Sequence, residues 1–210
     1  MITTVIDHSS YYSSARDQGV RSTCLAFAVS DINAFHHSSE ELSVDYLCHH
    51  AANNTPGWSG EGFALDVMFS VTLNEGQPVE RLYPYSPSDS LKPQVKPPSG
   101  LNPLYKVDVK SEAYIFDDIT KELDNGKIVG IAVAVTPSLY KPIDGIVAHD
   151  VNALADTYHA LIATGYGLSH STSESYIKVR NSWGNNWGKD GYGWLPKSLI
   201  DLHLIGTFII

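Results

Sequence analysis

The sequence predicts an α+β protein of two subdomains with a cleft between them. Three observations carry that expectation. Helix-period segments crowd the first half, β-branched and aromatic runs crowd the second, and six of the eleven prolines fall between Pro84 and Pro103. Helices first and strands later is the pattern of an α+β chain, and 210 residues with 43% hydrophobic content suffice to bury a sizeable core. The expected division is residues 1–105, mainly helical, and 106–210, mainly β. The Pro-rich stretch reads as an extended segment crossing from one to the other, because neither a long helix nor a central strand tolerates that proline density.

Each element has a local reason. From Ser22 onward, Leu25, Ala28, Val29 and Ile32 follow the i, i+3, i+4, i+7 spacing of a helix face, and Ser22 or Thr23 is placed to cap its first turn. Ser43 to Ala51 and Gly62 to Leu73 read as two further helices, and Ile115 to Leu123 as a fourth. Ile128 to Val135, Ala160 to Tyr166 and Tyr176 to Val179 are strand-like runs bounded by turn residues. The last two flank a polar stretch, Leu168 to Glu174, and predict an antiparallel hairpin with its tip near His170. That register sets His159 and Asn181 at the same open end, within reach of a cross-strand hydrogen bond.

Composition excludes several classes of function. Fourteen basic against 23 acidic residues give a net charge of −9, which repels phosphate backbones and argues against nucleic acid as a partner. The longest apolar run, Ile128 to Val135, is too short to cross a bilayer, so no membrane span is expected. Met1 to Ser10 lacks the basic start and apolar stretch of a Sec signal peptide, so cytoplasmic synthesis is expected, with export by another route left open. Two cysteines, Cys24 and Cys48, are too few for a disulfide scaffold, and the fold must stand on packing.

Cys24 is the sharpest chemical position. It falls in the first turn of the predicted helix, where unpaired N–H groups and the helix dipole favour a thiolate. A thiol nucleophile needs a base, and His159, oriented by the Asn181 carboxamide, supplies one. On position alone a small buried cysteine and a packed His–Asn pair remain the plainer readings. His36-His37 and Cys48-His49-His50 match no zinc spacing, and no metal is expected. Gly57-Trp58-Ser59-Gly60 has its second glycine in the wrong place for a nucleophile elbow.

Three ordered segments then point to one family. Asp17-Gln18-Gly19-Val20-Arg21-Ser22-Thr23-Cys24-Leu25-Ala26-Phe27 resembles the nucleophile segment of papain-like cysteine peptidases. His159-Ala160 through Gly165-Tyr166-Gly167 resembles their histidine strand. Arg180-Asn181-Ser182-Trp183-Gly184-Asn185-Asn186-Trp187-Gly188 with Gly191-Tyr192-Gly193 resembles their asparagine block, the most specific of the three. Leu42-Ser43, Tyr46-Leu47-Cys48 and Tyr83-Pro84-Tyr85 extend the likeness over nearly the whole chain. The resemblance implies a papain-like fold, a helical half and a β-barrel-like half with the cleft between, and a peptidase working through an acyl-enzyme without a cofactor.

It also implies roles. Cys24 would be the nucleophile, His159 the acid–base partner, Asn181 its orienter, and Trp183 the shield of the His159–Asn181 bond. Gln18 would share the oxyanion with the Cys24 backbone N–H. Gly60, Glu61, Gly62 and Phe63, with Tyr158 and Trp183, would contact a peptide or protein substrate. The chain departs from the family where Arg21 replaces a cysteine, which removes a common disulfide. Ser22-Thr23 replaces the usual Gly-Ser, and Leu25 replaces an aromatic. Only 23 residues precede Cys24, so the inhibitory propeptide of many relatives is not among them. A processed form, an excised domain of a larger chain, and an enzyme regulated otherwise stay open. Two other functions stay open beside the peptidase: a papain-fold acyltransferase or amidase using the same nucleophile, and a non-catalytic binding module.

Overall fold

The computed structural model describes residues 1–149, 151–155 and 157–210. It sorts the chain into two compact units: Met1–Asp17 with Ser111–Ile209, and Gln18–Lys110 with Ile210.

The sheet unit opens with strand β1 (Ile2–Asp7), and the helical unit contains helices α1 (Cys24–His37), α2 (Val44–Asn53) and α3 (Leu65–Asn74). Helix α1 is buried on every side, because each residue from Leu25 to Ala34 is enclosed. The apolar stripe read from the sequence is therefore only part of its interior surface. Its polar residues act as anchors. Asn33 Nδ2 donates to Gln77 Oε1 at 2.9 Å and to the Tyr105 carbonyl at 3.0 Å. Gln77 Nε2 in turn donates to Ser30 Oγ and to the Ser43 carbonyl, and Ser30 donates to the Leu42 carbonyl. Ser43 caps α2 by accepting from the Tyr46 N–H at 3.2 Å. Thr23 holds the N-cap position of α1, but neither it nor Ser22 caps the helix as expected. The Thr23 hydroxyl is committed to Tyr85 Oη at 2.7 Å instead.

The Pro-rich stretch departs from its expected course. It lies wholly within the helical unit and packs on α2, where His49 Nδ1 donates to the Pro93 carbonyl at 2.7 Å. Tyr83 Oη donates to the Val95 carbonyl at 3.0 Å, and Lys92 Nζ sits 4.5 Å from the Tyr83 ring centre. Extended backbone finds partners as readily on a helix as between subdomains.

The sheet unit continues with β2 (Lys110–Glu112), α4 (Phe116–Asp124), β3 (Val129–Val135), α5 (Pro137–Tyr140), β4 (Thr157–Ser169), β5 (Glu174–Arg180), β6 (Tyr192–Pro196), α6 (Lys197–His203) and β7 (Leu204–Ile209). The seven strands run in the order β2-β7-β3-β4-β5-β6, with β1 beside β4. Strand β4 is long enough to serve two partners on one edge. Its first half pairs with β3, Val135↔Thr157 through Val129↔Ala163, and its second half pairs with β1, from Gly165 to Ser169. Strand β5 takes the other edge. This pairing draws residues 1–17 into the sheet unit rather than the helical half to which the sequence assigned them. Alternate residues of β3, β4 and β5, among them Ile131, Val133, Leu161 and Val179, form one core with Phe116, Ile119 and Leu123 of α4 and Leu199 and Ile200 of α6.

The hairpin register differs from expectation. Ser169 pairs with Glu174, so the turn is 170–173, and the ladder slips one residue between Ala163 and Gly165. The bulge and the displaced turn put Asn181 one step past the Ile162↔Arg180 pair, diagonal to His159 rather than opposite it.

Candidate active site

The diagonal suffices. His159 and Asn181 extend the face that carries Leu161 and Val179, and they are only 5% and 3% exposed. His159 Nε2 lies 2.6 Å from Asn181 Oδ1. The Ser182 backbone N–H donates to the same Oδ1 at 2.7 Å, which fixes which end of the amide is the oxygen. An oxygen only accepts, so the proton resides on Nε2 and Nδ1 keeps a lone pair. Burial pulls His159 down to about 4, partly opposed by the Asn181 bond. The ring is a neutral base at pH 7 with one defined tautomer.

Trp183 lies over this pair, its ring centre 4.4 Å from that of His159. Tyr140 stacks on Trp183 at 5.4 Å, nearly parallel, and Trp187 meets it edge-on at 6.1 Å. Trp187 Nε1 donates to the Leu139 carbonyl at 2.7 Å. The asparagine block is thus also a folding device. The Gly184 N–H donates to the Arg16 carbonyl, and the Asn185 Oδ1 accepts from the Ala15 N–H. Gly191 has φ +82°, and a Cβ there would meet the Ala15 Cβ at 2.0 Å.

In the helical unit, Cys24 is the first residue of α1 and half-buried. The turn before it is tightly held. Gln18 Nε2 donates to the Arg21 carbonyl at 2.7 Å. Tyr85 Oη donates to the Gln18 carbonyl at 2.9 Å and receives the Thr23 hydroxyl. The Tyr85 ring is flanked by the Arg21 guanidinium at 4.5 Å and by Phe27 at 4.8 Å. Arg21 Nη1 pairs with Asp45 Oδ1 at 2.6 Å and donates to the Ser86 carbonyl at 2.9 Å, while Asp45 Oδ2 accepts the Ser86 N–H at 2.8 Å. Burial pushes the Asp45 carboxyl up in spite of Arg21 beside it. Where the family resemblance led one to look for a disulfide, this chain has a buried ion pair.

Gly60, Glu61, Gly62 and Phe63 lie on the loop joining α2 to α3, the first two exposed and the others half-buried. Phe63 stacks on Trp58 at 5.4 Å, and Trp58 Nε1 donates to the Gly62 carbonyl at 3.0 Å. Tyr158 is 69% exposed and alternates with His159 along β4, so its side chain stands on the opposite face. The sequence reading missed Asp45 and Tyr140. Tyr140 stands in none of the segments read, Asp45 lies unremarked between Leu42-Ser43 and Tyr46-Leu47-Cys48, and each meets its partner through the fold rather than through spacing. Among the described residues no group of three or more His, Cys, Asp or Glu side chains gathers as a metal site, and no helix is long and apolar enough to cross a membrane.

Comparison with known proteins identifies the family of the chain. The papain family cysteine protease model matches residues 4–201, and the chain belongs to that family. Thiol protease aleurain of Arabidopsis thaliana is 29% identical over 191 residues, covering 86% of this chain and 51% of aleurain. Cathepsin K of Gallus gallus is 28% identical over 203 residues, covering 90% of this chain and 57% of the relative. The chain therefore spans about half the length of the curated relatives it matches. Among solved structures, xylellain, a cysteine protease from Xylella fastidiosa, superposes with a TM-score of 0.80 at 19% identity, covering 100% of this chain and 86% of that one. The Carica candamarcensis cysteine protease CMS1MS2, solved with E-64, gives 0.72 at 23% identity, covering 99% and 98%. These likenesses establish the papain-like α+β fold.

Proposed function

We propose that this protein hydrolyses peptide bonds through Cys24, His159 and Asn181 by way of an acyl-enzyme. The observation that carries the reading is the buried bond from His159 Nε2–H to Asn181 Oδ1, locked by the Ser182 N–H. It prepares one tautomer with a basic Nδ1, as a thiol nucleophile requires. Family membership and the position of Cys24 at the start of α1 support pairing that base with this thiol.

In this scheme the Cys24 sulfur attacks the peptide carbonyl carbon as its proton passes to His159 Nδ1. The oxyanion that forms is met by the Cys24 backbone N–H and the Gln18 carboxamide. No side-chain oxygen caps α1, which leaves the positive end of the helix to the developing charge. His159 then protonates the leaving amine, the C–N bond breaks, and a thioester remains. Water, deprotonated by the same ring, attacks the thioester and returns the thiol. The substrate is a peptide or protein chain.

The test is turnover of fluorogenic peptides by the wild type and by Cys24→Ala, with products identified by mass spectrometry. Hydrolysis abolished by the substitution is expected. Wild-type transfer of the acyl group to added amines in preference to water would instead mark an acyltransferase, and turnover by folded Cys24→Ala would overturn the mechanism.

A further inference from the structure

Three consecutive residues of the helical unit, Tyr85, Ser86 and Pro87, splint the turn that leads into Cys24. Pro87 offers its carbonyl to the Val20 N–H at 3.3 Å, and Ser86 offers its own to the Arg21 guanidinium at 2.9 Å. Gly19, at φ +61°, permits the close approach, because a Cβ there would meet the Pro87 carbonyl oxygen at 2.5 Å. Tyr85 reaches Gln18 itself, its hydroxyl donating to the Gln18 carbonyl at 2.9 Å. A carbonyl only accepts, so the hydrogen between the two hydroxyls, 2.7 Å apart, comes from Thr23. Burial pushes the Tyr85 hydroxyl up, so it keeps its own hydrogen well above neutral pH. Gln18, 8% exposed, closes a ring of contacts: its Nε2 donates to the Arg21 carbonyl at 2.7 Å, and the Arg21 guanidinium lies on the Tyr85 ring. A carboxamide NH2 is planar, so committing one hydrogen to Arg21 sets where the other points.

We propose that Tyr85 is a positioning residue for the acylation transition state: by holding the Gln18 backbone, its hydroxyl sets the direction from which the Gln18 carboxamide meets the oxyanion. The assignment rests on the peptidase reading and deepens it, because an oxyanion arises only when Cys24 adds to a carbonyl. Tyr85 touches neither substrate nor sulfur in this scheme. It acts before the substrate arrives, by restricting the Gln18 main chain from which the side chain projects. A donor fixed in advance needs no reorganisation as charge develops. The ring alone would still fill the space between Arg21 and Phe27. The packing supplied by residue 85 can therefore be separated from the work of one oxygen atom.

The experiment compares Tyr85→Phe with wild type on one fluorogenic peptide anilide. kcat should fall about tenfold with KM held, since the lost hydrogen bond serves a donor used only in the transition state. Alkylation of Cys24 by iodoacetamide should keep its wild-type rate, because the sulfur there displaces iodide at a saturated carbon and no oxyanion forms. Gln18→Ala should cost about a hundredfold in kcat. Adding Tyr85→Phe to it should change kcat by no more than about twofold, because the group that Tyr85 positions is then gone. Thr23→Val, which takes the partner from Tyr85 Oη, should repeat the kcat loss at about threefold, and Thr23→Ser should restore it. That pair carries the test if Tyr85→Phe does not fold. Wild-type kcat in folded Tyr85→Phe, an equal loss in alkylation, or an undiminished loss on the Gln18→Ala background overturns the positioning role and leaves the peptidase reading standing. Absence of peptide hydrolysis by the wild type overturns that reading, and the positioning role with it.

Discussion

Replacing Asn181 by alanine removes one oxygen on which two donors converge. His159 Nε2–H and the Ser182 N–H both lose their acceptor, at 2.6 and 2.7 Å, in a site where His159 is 5% exposed. A buried donor left without a partner costs about 1–3 kcal/mol. With the tautomer no longer fixed, that range translates into roughly a 5- to 150-fold loss of kcat/KM. The Asn181 bond also opposes the effect of burial on His159, so without it the ring should titrate still further below about 4. Asn181→Asp should act oppositely, because a carboxylate on Nε2–H stabilises the imidazolium and raises the value. Both effects can be read on one set of samples. Peptide turnover gives the rate, and the His159 ring proton followed by NMR across pH gives the titration. A folded Asn181→Ala protein with wild-type kcat/KM and an unmoved His159 titration would refute the positioning role.

Other consequences are as definite. A thiol-directed alkylating agent should label Cys24 in the native protein and spare Cys48, which is fully enclosed with its thiol pushed up by burial; equal labelling by mass spectrometry would contradict this. Asp45→Asn strands the buried Arg21 charge and should cost about 3–5 kcal/mol, a Tm loss of roughly 6–20 °C in a domain of this size. Arg21→Met/Asp45→Leu together should recover most of that loss, and a single-variant Tm within 2 °C or so of wild type would sink the account. His159 lies below its unfolded value near 6.5, so its contribution is complete above that pH and lost as pH falls toward about 4. Stability measured by urea titration should therefore decline through that window by about 3 kcal/mol more in wild type than in His159→Ala.

What the sequence disclosed and what it withheld follow from how far each signal reaches. Helical spacing at Leu25, Ala28, Val29 and Ile32 and β-branched runs such as Ile128 to Val135 are local, and they located the start of α1 and the whole of β3 within a residue or two. The pairing of His159 with Asn181 was legible because a hairpin brings its two strands together whatever the detail of its turn. The turn's true place and the slip at Ala163/Gly165 were not legible, since polar residues 168–174 can close at more than one position. The destination of Thr23's hydroxyl was hidden too, because Tyr85 lies 62 residues away. Arg21 stood out only as a missing cysteine, and nothing near it pointed to Asp45. The path of the Pro-rich stretch onto α2 and the joining of β1 to β4 are choices made by tertiary packing.

The addition of β1 to β4 has a consequence for the order in which the molecule comes into being. Apart from its last residue, the helical unit is one uninterrupted stretch, Gln18–Lys110, and has all its own parts once Lys110 has left the ribosome. The sheet unit does not. Its first strand must wait for Gly165–Ser169 before it finds its partner, and Asn181 comes later still. Chains tend to fold from the N-terminal end as they are made, so Cys24 is in place while the histidine's support is still unsynthesised. In the proposed mechanism a nascent chain therefore holds the thiol without its base, and an unfinished molecule cannot complete that chemistry.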